Sequence, residues 1–184
     1  MKPYIETFSG KLFELESPNH TIDIEDIAHA LSNLCRFAGH CKKFYSVAEH
    51  SVHCSYITPQ KYAKAALLHD ASEAYLCDIP TPFKPYLGNY YELEEALQAE
   101  VAEYFGLEVG FEKHPEVIAA DRMALKLEAF YLTESKGKTF HPNIQASPYS
   151  QIFNPDITGY EDLGVSPEKA KAAFLDRYRA LRLS

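Results

Sequence analysis

At 184 residues the chain has the length of a single domain, here taken as 1–184. Hydrophobic residues make up 46% and charged residues 24%, an ordinary globular composition that excludes collagen-like and disordered classes. There is no apolar run of ~18 residues for a membrane span, Met1 to Lys11 lacks a basic-then-apolar leader pattern, and a formal net charge of −8 argues against polymeric nucleic acid or an anionic membrane as partner.

The chain opens with Ile5-Glu6-Thr7-Phe8, then Ser9-Gly10, then Lys11-Leu12-Phe13-Glu14-Leu15, a pattern that predicts a short β-hairpin. Helical signals dominate after it. The period of Ile24, Ile27, Leu31, Leu34 and Cys35 predicts a first helix from about Asp23 to Phe37, stopped by Gly39. Ser46-Val47-Ala48-Glu49 reads as a capping box opening a second helix to about Ile57. Thr58-Pro59 reads as N-cap and first residue of a third, which Pro80 and Pro82 bring to an end near Leu76. A fourth covers Tyr90 to Tyr104, with Gly106 as its stop. Pro115 opens a fifth, reaching about Lys136, and Ser166-Pro167 a sixth, ending near Arg182. Thr139 to Val165 has no period and reads as a long loop; one role for it is a pocket cover. The expectation is an all-α bundle of about six helices with a short N-terminal hairpin.

The four cysteines, Cys35, Cys41, Cys54 and Cys77, include no pair with the two-residue gap of a zinc knuckle or redox motif. Cys54 and Cys77 fall on apolar stripes and read as small buried hydrophobes, in keeping with a reducing, cytoplasmic setting.

Polar residues interrupt the apolar stripes. At 100° per residue, His50 lies in a ~120° arc with Val47, Ser51, Cys54 and Ile57. Asp70 lies at the middle of the next helix's stripe, flanked by His69 and Glu73, which are four apart and face each other. Asp121 and Glu128 share a stripe with Val117, Ala124, Leu125 and Leu132. Singly, each would pass for a core residue with one hydrogen bond. Together, buried acids and imidazoles call for a divalent cation, which neutralises the carboxylates and takes neutral imidazole as ligand. A mixed His and Asp set suits Mn²⁺, Fe²⁺, Co²⁺, Ni²⁺ or Zn²⁺ better than Mg²⁺. His53, one turn past His50, fits a pocket-lining group as well as a surface one. Glu128 reads as a buried hydrogen-bonding group. His20, His29, His114 and His141 read as surface or cap residues, and Glu92, Glu94 and Glu95 as a solvated face.

The order His50, then Leu67-Leu68-His69-Asp70, then Asp121 is the pattern H…HD…D, which resembles the HD-domain metal-dependent phosphohydrolases. Ser46 to Ser51, Leu68 to Ala74 and Asp78-Ile79-Pro80-Thr81-Pro82-Phe83-Lys84 resemble the small single-domain 5'-deoxynucleotidases. Arg36-Phe37-Ala38-Gly39-His40 resembles a prophage-type branch of them and the phage deoxyadenosine triphosphate hydrolases. The resemblance implies an HD-domain helical bundle with one metal held by His50, His69, Asp70 and Asp121. It implies Glu73 as catalytic acid/base, Asp78 as a second catalytic carboxylate and Arg36 as a phosphate-binding arginine. Phe37 stands where the bacterial deoxynucleotidases carry tryptophan beside sugar and base, and His40 is a further candidate for phosphate. It also implies a homo-oligomer.

The residue chemistry agrees with hydrolysis of a phosphate ester. Arg36 and Lys84 suit non-reacting phosphate oxygens, and Glu73 suits orientation of the attacking water. The expected activity is hydrolysis of deoxyribonucleoside 5'-monophosphates to nucleoside and phosphate. The alternatives are a deoxynucleoside triphosphate triphosphohydrolase releasing tripolyphosphate and a non-catalytic nucleotide-binding sensor.

Overall fold

In a computed structural model, which describes residues 4–15, 17, 21–139 and 163–182, the hairpin forms as β1, Tyr4–Glu6, antiparallel to β2, Leu12–Glu14, with Ile5 opposite Phe13. Gly10 takes the positive φ of 78° that its turn requires. Phe13 is the buried strand residue and stacks on Tyr75 at 4.1 Å. Ser9 fastens the turn to the first helix: its N–H and hydroxyl donate to the Asp26 carboxylate at 2.7 and 2.8 Å.

The rest is mostly helical. Helix α1, Ile24–Asn33, starts at Asp23, whose side chain accepts from the Glu25 N–H. It ends at Asn33, short of the predicted Phe37. The next residues pair instead with the chain that enters the second helix: Cys35 and Ser46 form a β-bridge, and the Arg36 N–H donates to the Tyr45 carbonyl at 2.9 Å. Between these anchors Phe37, Ala38 and Gly39 all have positive φ, at 56°, 49° and 80°, so a right-handed helix is impossible there.

Helix α2, Val47–Ile57, is buried on nearly every side and is packed by α1 and by α3, α6 and α7, defined below. Ser46 caps it as predicted, accepting from the Glu49 N–H at 3.1 Å. Glu49 does not complete the box. Its carboxylate accepts from the backbone N–H groups of Gly164 and Val165 at 2.9 and 3.1 Å, joining the start of α2 to the chain entering α7.

The predicted third helix is broken. Pro59 leads into a 3₁₀ turn, Gln60–Tyr62, then α3, Ala63–Leu68, and after an interruption α4, Glu73–Leu76. The interruption has a cause in another helix. The Gln98 amide donates to the His69 carbonyl, so the Glu73 N–H turns to Asp70 at 3.0 Å, an i−3 bond. Ala71, Ala74 and Tyr75 are also bonded at i−3. Helical phase is therefore not kept from His69 to Glu73. Asp70 is half-buried at the rim rather than at the middle of a stripe.

Helix α5, Tyr90–Phe105, ends at Gly106 in the left-handed conformation (φ 64°). Helix α6, Pro115–Leu132, is capped by His114, which accepts from the Glu116 N–H. It stops before the predicted Lys136 because the Thr133 hydroxyl donates to the Ala129 carbonyl at 2.6 Å and accepts from the Gly137 N–H. Helix α7, Pro167–Arg182, closes over α1 and α2, with Arg177 donating to the Ser55 hydroxyl and carbonyl. Most of the predicted loop between α6 and α7 lies outside the described residues, as do His20 and His141. No helix among the described residues is long and apolar enough to cross a membrane.

Candidate metal centre

Three helices deliver four predicted residues to one point. α2 brings His50, the end of α3 brings His69 and Asp70, and α6 brings Asp121. The Nε2 atoms of His50 and His69 lie 3.3 Å apart. Asp121 Oδ1 is 3.3 Å from His50 Nε2, and Asp70 Oδ2 is 3.3 Å from His69 Nε2 and 3.6 Å from His50 Nε2.

The outer ring nitrogens reveal what the inner ones present. His69 Nδ1 lies 2.8 Å from the Ala66 carbonyl, which can only accept, so Nδ1 carries the hydrogen. His50 Nδ1 lies 2.6 Å from the Glu128 carboxylate and donates likewise. With both rings neutral, both Nε2 atoms are acceptors that point at each other across 3.3 Å, beside two carboxylates. Such an arrangement is repulsive without a positive charge between its members, and it is how imidazole ligands are oriented toward a metal. The residues therefore fit a bound cation.

Burial and Arg36 oppose protonation of His50, but Cys54, Glu128 and Asp121 outweigh them and raise its pKa well above the usual histidine value. Burial also opposes ionisation of Asp121, yet its hydrogen bond to His50 and the charge there hold its pKa far below the carboxylate range. A metal ion would take the place of the His50 proton, so its affinity falls as pH falls.

Cys54 joins the group. It lies one turn beyond His50, fully buried, with Sγ 3.5 Å from His50 Nε2. The ligand atoms of His50, Cys54, His69 and Asp121 all lie within 4.8 Å of one another, close enough to hold one ion. Burial pushes the Cys54 thiol up to about 11, so it stays neutral unless a cation displaces its proton. Its place on the apolar stripe predicts only a core residue; the i, i+4 spacing from His50 is the signal in the sequence for this proximity. Cys77, expected to be buried, is exposed where α4 ends, at φ 68°.

Glu128 organises the centre from behind. It is fully buried, and besides His50 it accepts from the Tyr45 hydroxyl at 3.0 Å and Arg36 Nε at 3.1 Å. Burial alone would raise its pKa, but the charges of Arg36 and His50 and these bonds bring it to about 2. With its proton committed to Glu128, the Tyr45 oxygen accepts from His53 Nδ1 at 2.8 Å. His53 is thus a buried member of the network, not a surface histidine.

Burial lowers the His53 pKa to about 4. The unfolded chain takes up this proton near pH 6.5, the folded chain only near 4. Stability from His53 is therefore fully present above 6.5 and lost as pH falls toward 4. The expected loss is about 3 kcal/mol at most. Urea unfolding of the wild type and of His53→Gln between pH 7 and 4 checks this: the variant loses that part of the slope.

On the other side of Asp70 lies a second group. Glu73 is buried, and burial, then the charges of Asp70 and Asp78, raise its pKa well above the usual value despite Lys84 and Arg36. Its Oε2 has no hydrogen-bond partner among the described residues. Lys84 Nζ lies 3.9 Å from Glu73 Oε1 and 2.6 Å from Glu94 Oε1, so Glu94 does not belong to a solvated face. Asp78 is half-buried, and burial followed by the charge of Asp70 raises its pKa against Arg36, His50 and Lys84. Arg36 NH1 is 3.8 Å from Asp70 Oδ2, so this arginine touches both the ligand cluster and its support. Phe37 packs against the buried group of Tyr45, Leu132 and Leu163, with the Arg36 guanidinium carbon 5.8 Å from its ring centroid, and His40 is exposed.

No protein-family model matches the sequence. The chain is 40% identical over 184 residues to "Uncharacterized protein YfdR" of Escherichia coli strain K12, covering 97% of this chain and 95% of that one. The chain belongs to the family of YfdR. A more distant member is "Uncharacterized protein RCAP_rcc00048" of Rhodobacter capsulatus, 32% identical over 190 residues that cover 94% of this chain and 92% of that one. In both cases the similarity covers more than nine-tenths of each chain.

Proposed function

We propose that the protein is a metal-dependent phosphohydrolase with the HD-domain fold, acting as a 5'-nucleotidase on deoxyribonucleoside 5'-monophosphates. The observation that carries this reading is the meeting of a His/Asp cluster that fits a cation with the buried Glu73 carboxyl and two basic side chains around Asp70. His50, His69, Asp70 and Asp121 would hold the ion, with Cys54 beside them. When bound, a divalent ion supplies Lewis acidity toward water and phosphate.

The chain's own residues do the rest. Arg36 is anchored to Glu128 through Nε, which leaves guanidinium N–H groups on the Asp70 side for phosphate oxygens. Lys84 adds positive charge next to Glu73. Burial and the charges of Asp70 and Asp78 favour the protonated form of Glu73, which suits it to give that proton to the leaving 5' oxygen; the carboxylate so formed then takes a proton from water. Asp78, near Arg36 and Lys84 in the same field, is the second carboxylate. Preference for the deoxy sugar is supported by the segment from Asp78 to Lys84 that resembles the deoxynucleotidases. Assembly as a homo-oligomer belongs to the same proposal.

Product analysis tests it. Metal-stripped protein is resupplied separately with Mn²⁺, Co²⁺, Mg²⁺ or Zn²⁺ and given dAMP, AMP and dATP. The expected products are deoxyadenosine and orthophosphate from dAMP, with dATP untouched. Tripolyphosphate from dATP would overturn the monophosphate substrate, and nucleotide binding without product from any of them would overturn the hydrolase.

A further inference from the structure

The loop that carries Arg36 is bracketed by two thiols that no part of the proposed chemistry uses. Cys35 and Cys41 place their Sγ atoms 3.5 Å apart, and Cys41 Sγ also lies 3.8 Å from the Arg36 carbonyl. Both cysteines are half-buried, reachable by a small reagent. Their backbones are fixed from both sides. Cys35 is bridged to Ser46, Arg36 is bonded to Tyr45, and the Lys42 N–H donates to the Leu132 carbonyl at 2.8 Å. Within the loop Phe37, Ala38 and Gly39 turn the chain back through positive φ, which is what brings residues six apart in sequence face to face. A disulfide needs about 2.05 Å between sulfurs, so closure requires about 1.5 Å of approach, within reach of side-chain rotation and a small loop shift.

We propose that Cys35 and Cys41 are a reversible oxidation site, joined by a low-molecular-weight disulfide such as glutathione disulfide into an intrachain bond that tightens the Arg36 loop. One protein thiol loses its proton and attacks the reagent, forming a mixed disulfide and releasing one glutathione thiolate. The second thiol, deprotonated in turn, attacks the protein sulfur of that mixed disulfide and releases the other. The two protons end on the two glutathione thiolates. Both protein sulfurs are oxidised and one reagent disulfide is reduced. Reduced thiol in excess reverses both steps.

Burial and the neighbouring Cys35 thiol push Cys41 up to about 11, so it holds its proton at neutral pH. Cys41 is therefore a slow attacking thiol at neutral pH. The consequence for activity rests on the hydrolase reading. Arg36 reaches Glu128 and Asp70 from this loop, and displacements of the order of 1 Å at positioning groups are costly, so oxidation should lower turnover at least about tenfold, reversibly.

The bond is tested without reference to turnover. The full-length protein is incubated with glutathione disulfide, free thiols are blocked, and peptides are mapped by mass spectrometry without reduction. The expected result is a Cys35–Cys41 crosslink that dithiothreitol removes, while Cys54 and Cys77 form no intrachain bond. In Cys35→Ser and Cys41→Ser the remaining partner should take a stable glutathione adduct. Wild type that keeps both thiols free, carries glutathione on both, or pairs them between molecules would overturn the proposal.

Discussion

Replacing Glu128 with Ala is expected to weaken metal binding by about 10- to 100-fold and to destabilise the fold by about 3 kcal/mol or more. One carboxylate with no solvent exposure accepts from His50 Nδ1, the Tyr45 hydroxyl and Arg36 Nε. Its removal leaves three donors without this acceptor, two on fully buried side chains and one on the partly buried Arg36 guanidinium. Glutamine does not repair this. Its single carbonyl oxygen cannot serve all three, and its NH₂ would face another donor. Glu128→Gln should therefore fold but bind metal more weakly, because His50 loses the bond that fixes its ring and its tautomer. The carboxylate also leaves a mark on the pH dependence. Its folded pKa, about 2, lies below its ordinary 4.5, so its stabilisation is present above 4.5 and lost as pH falls toward 2. Metal affinity by chelator competition, measured on folded Glu128→Gln, decides the point. Unchanged affinity would show that Glu128 supports the fold alone and does not position the ligand.

The sequence was legible where structure is local. The hairpin, the Ser46 cap, the stop at Gly106 and the starts at Pro115 and Pro167 follow from residues within a few positions of the feature they specify. The convergence on one point was legible in part: His50 and Asp121 interrupt apolar stripes and have few places to go, whereas Asp70 reaches the same point from the rim beside His69. What stayed hidden depends on partners remote in sequence. The break after α3 comes from Gln98, which takes the His69 carbonyl from 29 residues away. α1 ends early because residues beyond it pair with Tyr45 and Ser46. Glu49 leaves its capping box for amides more than a hundred residues downstream. Glu128 shows on its stripe only as a polar residue. That it holds His50, Tyr45 and Arg36 at once emerges only when α2, α6 and the Arg36 loop are packed together. Cys35 and Cys41 are six apart, a spacing with no motif, and they meet through three positive-φ residues.

Replacing Glu73 with Gln should lower turnover by about 10²-fold or more while metal binding is kept, since the amide retains the shape but cannot move a proton. The same substitution should raise stability at neutral pH. Burial and the charges of Asp70 and Asp78 raise the folded pKa of Glu73 above that of the unfolded chain. For an acid shifted in that direction, the folded state holds the proton more tightly. Its stability is fully present below the unfolded pKa and declines as pH rises through the folded one. At neutral pH a neutral amide therefore suits the pocket better than a carboxyl that the unfolded chain is free to ionise. Loss of turnover together with a higher urea midpoint is a pair of effects that general disruption of the fold cannot produce, since disruption lowers both. Glu73→Ala should show the same loss of turnover without the packing of the amide. Near-normal turnover in either variant, with metal bound, would remove Glu73 from the proton transfer and leave Asp78 as the carboxylate to test.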